Sequence, residues 1–289
     1  MIDFILLILI YTGIYSLLSL GLNLVTGKTG LLSLCHAAFF AIGAYTTAIV
    51  MTKFGHSYLV ALILSMFMAG FLGLLIGIPT LRLRGDYLAI ATLGFGEIIK
   101  NIILNWDSLT RGPMGINNIP VLQIFSSWFS STNKLFFVLL IWILVLIIMA
   151  LLTGLAKSRF GRAMEAIRED ETAARAMGLN TSIYKVTAFT LGAIIAGIAG
   201  NLWAVYNQSV TPQTFDFMLS IMILCMVVLG GLGQYKGAIL GTLIIVITSE
   251  IPRLLGFSYL IPAQFNQILF GLILVLTMIY RPQGLLKEK

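Results

Sequence analysis

Charge is scarce in this chain. Of 289 residues, 10% are Asp, Glu, Lys or Arg, 59% are apolar, and mean hydropathy is +1.00. A soluble domain is about a quarter charged, so a water-soluble globule is excluded, and so is disorder, because a chain this apolar does not stay unfolded in water. There are two histidines, and the scarcity of clustered His, Asp and Ser argues against a membrane-embedded enzyme. His36 could be joined by His56 alone, which argues against a metal site. The two cysteines, Cys35 and Cys225, lie inside apolar runs with no C-x-x-C pair, and read as small packing residues. No G-x-x-x-x-G-K-[ST] phosphate loop occurs, and Gly230-Gly231-Leu232-Gly233-Gln234-Tyr235-Lys236 has the wrong glycine spacing. The net charge of +7 comes from basic residues placed between hydrophobic runs, not along one face, so nucleic acid is not the partner.

What is present is long apolar runs. A bilayer core of ~30 Å needs ~20 apolar residues per helix. The windows predict an all-α polytopic membrane protein of about nine spans (eight to ten), near 2–25, 31–52, 58–80, 87–105, 135–156, 186–206, 217–234, 237–251 and 265–280. Asp3 stands where a signal peptide would be basic, so the first run reads as a retained helix. Alternating the loops puts thirteen Lys and Arg on the side of segment 157–185 and four on the other, with Lys100 inside the fourth span. The positive-inside rule then orients the chain N-out and C-in.

Ala188, Gly192, Ala196, Gly200 and Ala204 recur at every fourth position of the sixth span, and Gly73–Gly77 and Gly237–Gly241 repeat the spacing for one turn. Such stripes let helices approach closely in lipid, within the subunit or against a second one. The outer loop, 106–134, is rich in turn formers and carries Trp106, Ile119, Val121, Leu122, Ile124, Phe125, Trp128 and Phe129, which suits an amphipathic segment on the membrane surface. The inner loop, 157–185, is charged and helix-prone. Positions 162–177 predict one helix with a stop at Gly178 and Asn180. Exposed ion pairs contribute only ~0.3–0.5 kcal/mol, so its mixed charge is not there for stability. An alanine face at Ala163, Ala166, Ala173, Ala174 and Ala176 suits docking into another protein's cleft; a solvated connecting helix is the alternative.

Thr172-Ala173-Ala174-Arg175-Ala176-Met177-Gly178 resembles the E-A-A-x-x-x-G coupling-helix motif of ATP-binding-cassette importer permeases, with Thr172 in place of the acid and Glu171 one position early. The longer string from Gly161-Arg162-Ala163 through Ala166-Ile167-Arg168-Glu169-Asp170-Glu171 to Met177-Gly178-Leu179-Asn180 and Tyr184-Lys185 is similar to the permeases of the branched-chain amino-acid uptake family, in its LivM-type subunit. The stretches 30–40 with Gly43-Ala44-Tyr45, 84–97, 112–116, 230–233 and 280–285 resemble the same family. The resemblance implies a permease subunit of the bacterial inner membrane, working with a LivH-type sister permease, two cytosolic ATPases that hold the Mg-ATP, and an external solute-binding protein. The permease itself would be no enzyme and bind no cofactor. The residues expected to couple to the ATPases are Gly161, Arg162, Glu165, Arg168, Glu169, Asp170, Glu171, Ala173, Ala174 and Gly178.

Ionisable residues inside spans are functional candidates. Glu97 and Lys100 can share a helix face and either pair with each other or meet the two charges of a zwitterion. Arg82, Arg84 and Asp86 flank the inner start of the fourth span, as interfacial anchors or part of an inner gate. Segments 27–45 and 84–97 are glycine-interrupted and polar, and broken helices belong where they face protein or a water-filled cavity. The expected path is lined by Ser33, His36, Phe40 and Tyr45 with Tyr87, Thr92, Phe95, Gly96 and Glu97. A urea, amide or sugar importer of the same superfamily and an ion-coupled carrier using Glu97 remain open alternatives.

Overall fold

A computed structural model describes residues 2–80, 83, 85–121, 123–124, 126–130 and 133–254, together with 268, 271–272, 275–276, 279 and 284–285. The described chain runs α1 (Ile2–Leu22), a π-helical turn (Asn23–Gly27), α2 (His36–Thr52), α3 (Tyr58–Thr80), α4 (Asp86–Asn105) and a single turn α5 (Asp107–Thr110). Three short strands follow, β1 (Ile116–Asn117), β2 (Gln123–Ile124) and β3 (Ser126–Ser130). Then come α6 (Lys134–Lys157), α7 (Arg159–Glu169), α8 (Glu171–Ala176), α9 (Thr181–Asn207), β4 (Ser209–Val210), α10 (Phe217–Gly230) and α11 (Tyr235–Leu254). Among the described residues five stretches are long and apolar enough to cross a bilayer: Asp3–Gly27, Tyr58–Pro79, Asp86–Asn105, Lys134–Lys157 and Thr181–Asn207. The apolar helices α2 and α10 are shorter.

The expected second span starts later than the sequence suggests. Residues 31–35 are not helical, because Gly30, at φ +70°, turns the chain out of the helix. The seventh stops at Gly230, where Gly231 and Gly233 adopt positive φ in the turn into α11. The helix expected at 162–177 is two helices broken at Asp170, whose extended backbone starts α8. The ninth span, 265–280, falls largely outside the described residues, as do Arg82 and Arg84.

The spine of the bundle is α9, 72% buried against 28% for α6. All five members of its small-residue stripe are buried, and they pack inside this subunit. Gly192 and Gly21 of α1 approach so closely that a Cβ on either would lie 2.9 Å from the other's carbonyl oxygen. Gly197 faces the Ser65 carbonyl of α3 and the backbone of Gly43 of α2; Gly200 faces the Phe40 carbonyl and the Ala44 amide. In lipid, apolarity gives no drive to associate, so this backbone-to-backbone contact supplies dispersion attraction that bulkier seams cannot. Polar contacts lock the register: Asn201 Nδ2 donates to Thr47 Oγ1 (2.9 Å), and Ser19 and Thr242 hydroxyls meet at 2.8 Å between α1 and α11. Leu59, Ile63, Phe67, Phe71, Leu135, Leu139 and Ile143 on α3 and α6 stay exposed, as a lipid-facing surface requires.

The helix ends sort into two groups. At one end Lys134 pairs with Asp3 (2.8 Å), Lys53 donates to the Ser108 carbonyl (2.5 Å), and β1 pairs antiparallel with β4. At the other, Lys28, Lys157, Glu165 and Lys236 line one pocket. The 106–134 loop folds partly onto the bundle: Ile116 and Ile119 are buried, the Ile119 amide donating to the Gln208 carbonyl (3.1 Å), while Trp106 is exposed. This corrects the expectation that Ile119 is offered to a membrane surface.

Gly200→Leu forces a side chain into occupied backbone, and overpacking of this kind costs about 1–3 kcal/mol. The variant is expected to lower the thermal midpoint of the detergent-solubilised protein by about 3 °C or more. Gly154→Leu, at a position with nothing within 4 Å, leaves that midpoint in place.

Candidate functional site

Between α1 and α2 the chain runs without helix from Gly30 to Cys35. Its Leu34 amide donates to Thr92 Oγ1 of α4 (3.0 Å), and in the first turn of α2 the Ala37 amide donates to Ser220 Oγ of α10 (3.1 Å). On the far side α10 begins at Asp216, whose carboxylate caps the helix by accepting from the Leu219 amide (3.0 Å). The start of α2, the start of α10 and the middle of α4 therefore meet. They border a narrow cleft of about 10 Å³, room for about one water molecule, lined by Leu34, Ala37, Ala38, Leu93, Gly96, Glu97, Phe215, Asp216, Phe217 and Ser220. Two carboxylates, two helix N-termini and several small side chains converge on it. A carboxylate is stabilised by a helix N-terminus and an ammonium by Glu97 or Asp216. The polar groups are of the kinds that attract both ends of a zwitterion, but the cleft must widen before an amino acid enters it.

Of the expected path residues, Gly96 and Glu97 line the cleft. Thr92 and Ser33 support it from behind, both buried, Thr92 through its bond to Leu34 and Ser33 through a 3.4 Å contact with Cys35 Sγ. His36 is buried with its ring toward Gly21 and Gly192, in the α1–α9 seam. Phe40 packs edge-on against Trp203 and Phe215, and Tyr45 against Phe215, as core aromatics. Phe95 is half-buried against the core, and Tyr87, near the start of α4, is 74% exposed. His36, Phe40, Tyr45, Phe95 and Tyr87 do not line this cleft: Tyr45 shares a face with Ala38 but lies two turns further along α2, while Phe95 and Tyr87 point away from the Leu93, Gly96 and Glu97 face of α4. Glu97 and Lys100 form no ion pair with each other, although their spacing permits one. Phe215, Asp216, Phe217 and Ser220 were not anticipated; Asp216 ahead of an apolar run is the helix-start signal that could have marked them.

The charged segment is built as two capped helices. Ser158 Oγ accepts from the Phe160 and Gly161 amides (3.1 and 3.3 Å) and starts α7. Gly161 is buried where the chain reverses, its would-be Cβ against the Ala156 carbonyl. Asp170 Oδ1 accepts from Thr172 and Ala173 amides (2.7 and 3.0 Å) and starts α8. Among the ten expected coupling residues, Arg162, Arg168, Glu169, Asp170, Ala173 and Gly178 are exposed, while Gly161 and Ala174 are buried. Three engage their own chain. Glu165 pairs with Lys28 (2.5 Å), Arg168 donates to the Gly27 carbonyl, and Glu171 pairs with Arg175 (2.8 Å) and Lys185 (2.7 Å). The side chain of Lys185 is only 5% exposed. The expectation that this mixed charge does nothing for stability is therefore corrected at Glu171, which neutralises a cation otherwise buried beside α8. The outward face carries Thr172, Ala173, Ala176 and Met177, the last 85% exposed. Among the described residues no three His, Cys, Asp or Glu side chains gather as metal ligands.

A bundle of apolar helices seamed by glycine, with a break between helices beside a small internal cleft, is that of a multi-pass membrane protein. The chain belongs to the family described as "Branched-chain amino acid transport system / permease component", whose model matches residues 4–278. It is 40% identical over 296 residues to the high-affinity branched-chain amino acid transport system permease protein LivM of Escherichia coli K12, covering 95% of this chain and 68% of that one. It is 28% identical to the probable branched-chain amino acid transport permease protein LivM of Methanocaldococcus jannaschii, over 100% of this chain and 94% of that one. The permease protein LivH of Salmonella typhimurium is 26% identical, over 94% and 91% of the two chains. No solved structure matched the chain.

Removing one partner of a buried ion pair strands the other charge, at a cost of about 3–5 kcal/mol. Glu171→Gln is expected to destabilise the protein by that order in thermal unfolding. Glu169→Gln, on an exposed neighbour, leaves stability within about 0.5 kcal/mol.

Proposed function

We propose that this chain is the LivM-type permease subunit of an ATP-driven importer of branched-chain amino acids. The observation that carries the reading is the family match across residues 4–278, with 40% identity to a LivM permease. Similarity to LivH permeases supports a paired arrangement, this chain beside a LivH-type sister. Two cytosolic ATPases would supply the energy with their own Mg-ATP, and an external binding protein would deliver the amino acid. The chain would form one transmembrane domain of nine spans in the bacterial inner membrane, N-out and C-in, with 106–134 outside and 157–185 as the coupling segment inside. The gathering of Lys28, Lys157 and Lys236 at one end of the bundle supports this alternation.

In this reading the cleft beside Leu34, Ala37, Gly96, Glu97, Asp216 and Ser220 is part of the translocation path. Arg162, Glu169, Ala173, Ala176 and Met177 form the face presented to an ATPase. The triad Glu169, Asp170 and Glu171 is not a uniform docking patch. Asp170 caps α8 and Glu171 holds Lys185, so replacing all three would unravel the segment as well as alter its surface.

Proteoliposomes holding the complete assembly, internal ATP and external binding protein are expected to accumulate radiolabelled leucine, isoleucine or valine. Accumulation should stop when the ATPases are omitted and persist when the proton gradient is collapsed. Uptake that follows the proton gradient and ignores ATP would identify an ion-coupled carrier instead.

A further inference from the structure

We propose that Arg168, Glu165 and Lys28 are positioning residues that transmit movement of the coupling segment to the cleft, through a node where α7 grips the break between α1 and α2. The inference rests on the importer reading above. Arg168 Nη1 donates to the Gly27 carbonyl at 2.5 Å, and Glu165, one turn earlier on α7, pairs with Lys28. The Lys28 side chain is 6% exposed and that of Glu165 42%, so it is the lysine whose charge would be stranded if the pair parted. The stem of Arg168 lies against Gly30, whose Cβ would fall 3.2 Å from Arg168 Cγ.

The same point is tied to the turn between α10 and α11. The Gly233 amide donates to Asn23 Oδ1 (2.7 Å), and Gly233 also borders Arg168 Nη1 and the Gly27 carbonyl. A Cβ on Gly27 would collide with Asn23 Oδ1 and the Gly233 amide. The contacts among Asn23, Gly27 and Gly233 leave no room for an added side chain, and close packing there passes displacement on, while Lys28, Glu165 and Gly233 border an open pocket on the other side.

Two arms leave the node, and both end at the cleft. One is the non-helical lead from Gly30 to Cys35, whose Leu34 lines the cleft and is anchored to Thr92. The other is α10, which ends at Gly230 beside the node and begins at Phe217, with Asp216, Phe217 and Ser220 in the cleft wall. Ser220 is hydrogen-bonded to Ala37 at the start of α2, so the arms are joined again at their far ends. Glu165 and Arg168 grip the break with their polar ends while part of each side chain stays exposed, so they link the outer side of α7 to the two short helices.

The test uses the complete importer in proteoliposomes with Arg168→Ala, Arg168→Lys and Glu165→Gln. Three quantities are read: ATPase co-purifying with the permease, leucine imported, and leucine imported per ATP hydrolysed. The expected result is co-purification within twofold of wild type for all three. Leucine per ATP is expected to fall at least fivefold in R168A and E165Q. R168K is expected to recover at least half of the R168A loss, because a lysine can still donate to the Gly27 carbonyl. Wild-type stoichiometry in R168A and E165Q would overturn the inference. So would loss of co-purifying ATPase, which would assign these side chains to the ATPase contact itself. A wild-type assembly with no ATP-driven uptake would overturn the importer reading and this inference with it.

Discussion

Helices in lipid must satisfy their backbone polar groups within the protein, and they must find a reason other than apolarity to associate. Both demands meet on α9. Its stripe Ala188, Gly192, Ala196, Gly200 and Ala204 is buried along its length, and Gly192, Gly197 and Gly200 bring α1, α2 and α3 to backbone contact. Everything else is arranged around that spine. The lipid-facing helices α3 and α6 keep bulky residues outward, while buried polar contacts tie α2 to the spine, Thr47 with Asn201, and α1 to α11, Ser19 with Thr242.

Given a rigid spine, a break in a helix becomes usable. The lead from Gly30 to Cys35 exposes amides that an apolar medium would penalise by several kcal/mol each. Thr92 captures the Leu34 amide of that lead and Ser220 the Ala37 amide at the start of α2, which lowers the cost of the break beside a cleft between two helix starts and the middle of α4. The charged segment at the base is held in a comparable way. Asp170 and Ser158 cap its two helices, Glu171 neutralises Lys185, and Glu165 neutralises Lys28. Inward ionic contacts fix how the segment sits, which leaves Ala173, Ala176 and Met177 as its outward face.

The helical pattern was legible because long apolar runs have one stable form in lipid. The starts and ends of α3, α4 and α6 fall within a residue or so of the expected windows. Membership of the permease family was equally legible from the coupling-segment string and the stretch 84–97. The rotation of each helix was not. Phe40 shares α2 with Ala37 and Ala38, and a window that is apolar on every side carries no moment to say which face meets the cleft. The break at Asp170 was hidden because a helix former on both sides masks a capping aspartate. Lys28 read as an ordinary loop cation, since its partner Glu165 lies 137 residues away. Phe215 to Ser220 were missed because two helix starts distant in sequence converge only in three dimensions.

The account stands on the charged segment facing the cytosol, where a nucleotide-driven partner can act on it. A cysteine placed at Met177 tests this directly, because Met177 is 85% exposed while the native Cys35 and Cys225 are buried. A membrane-impermeant maleimide should label that cysteine in inverted membrane vesicles and leave it unmodified in right-side-out ones. Labelling from the external face would place the segment outside the cell and contradict the account.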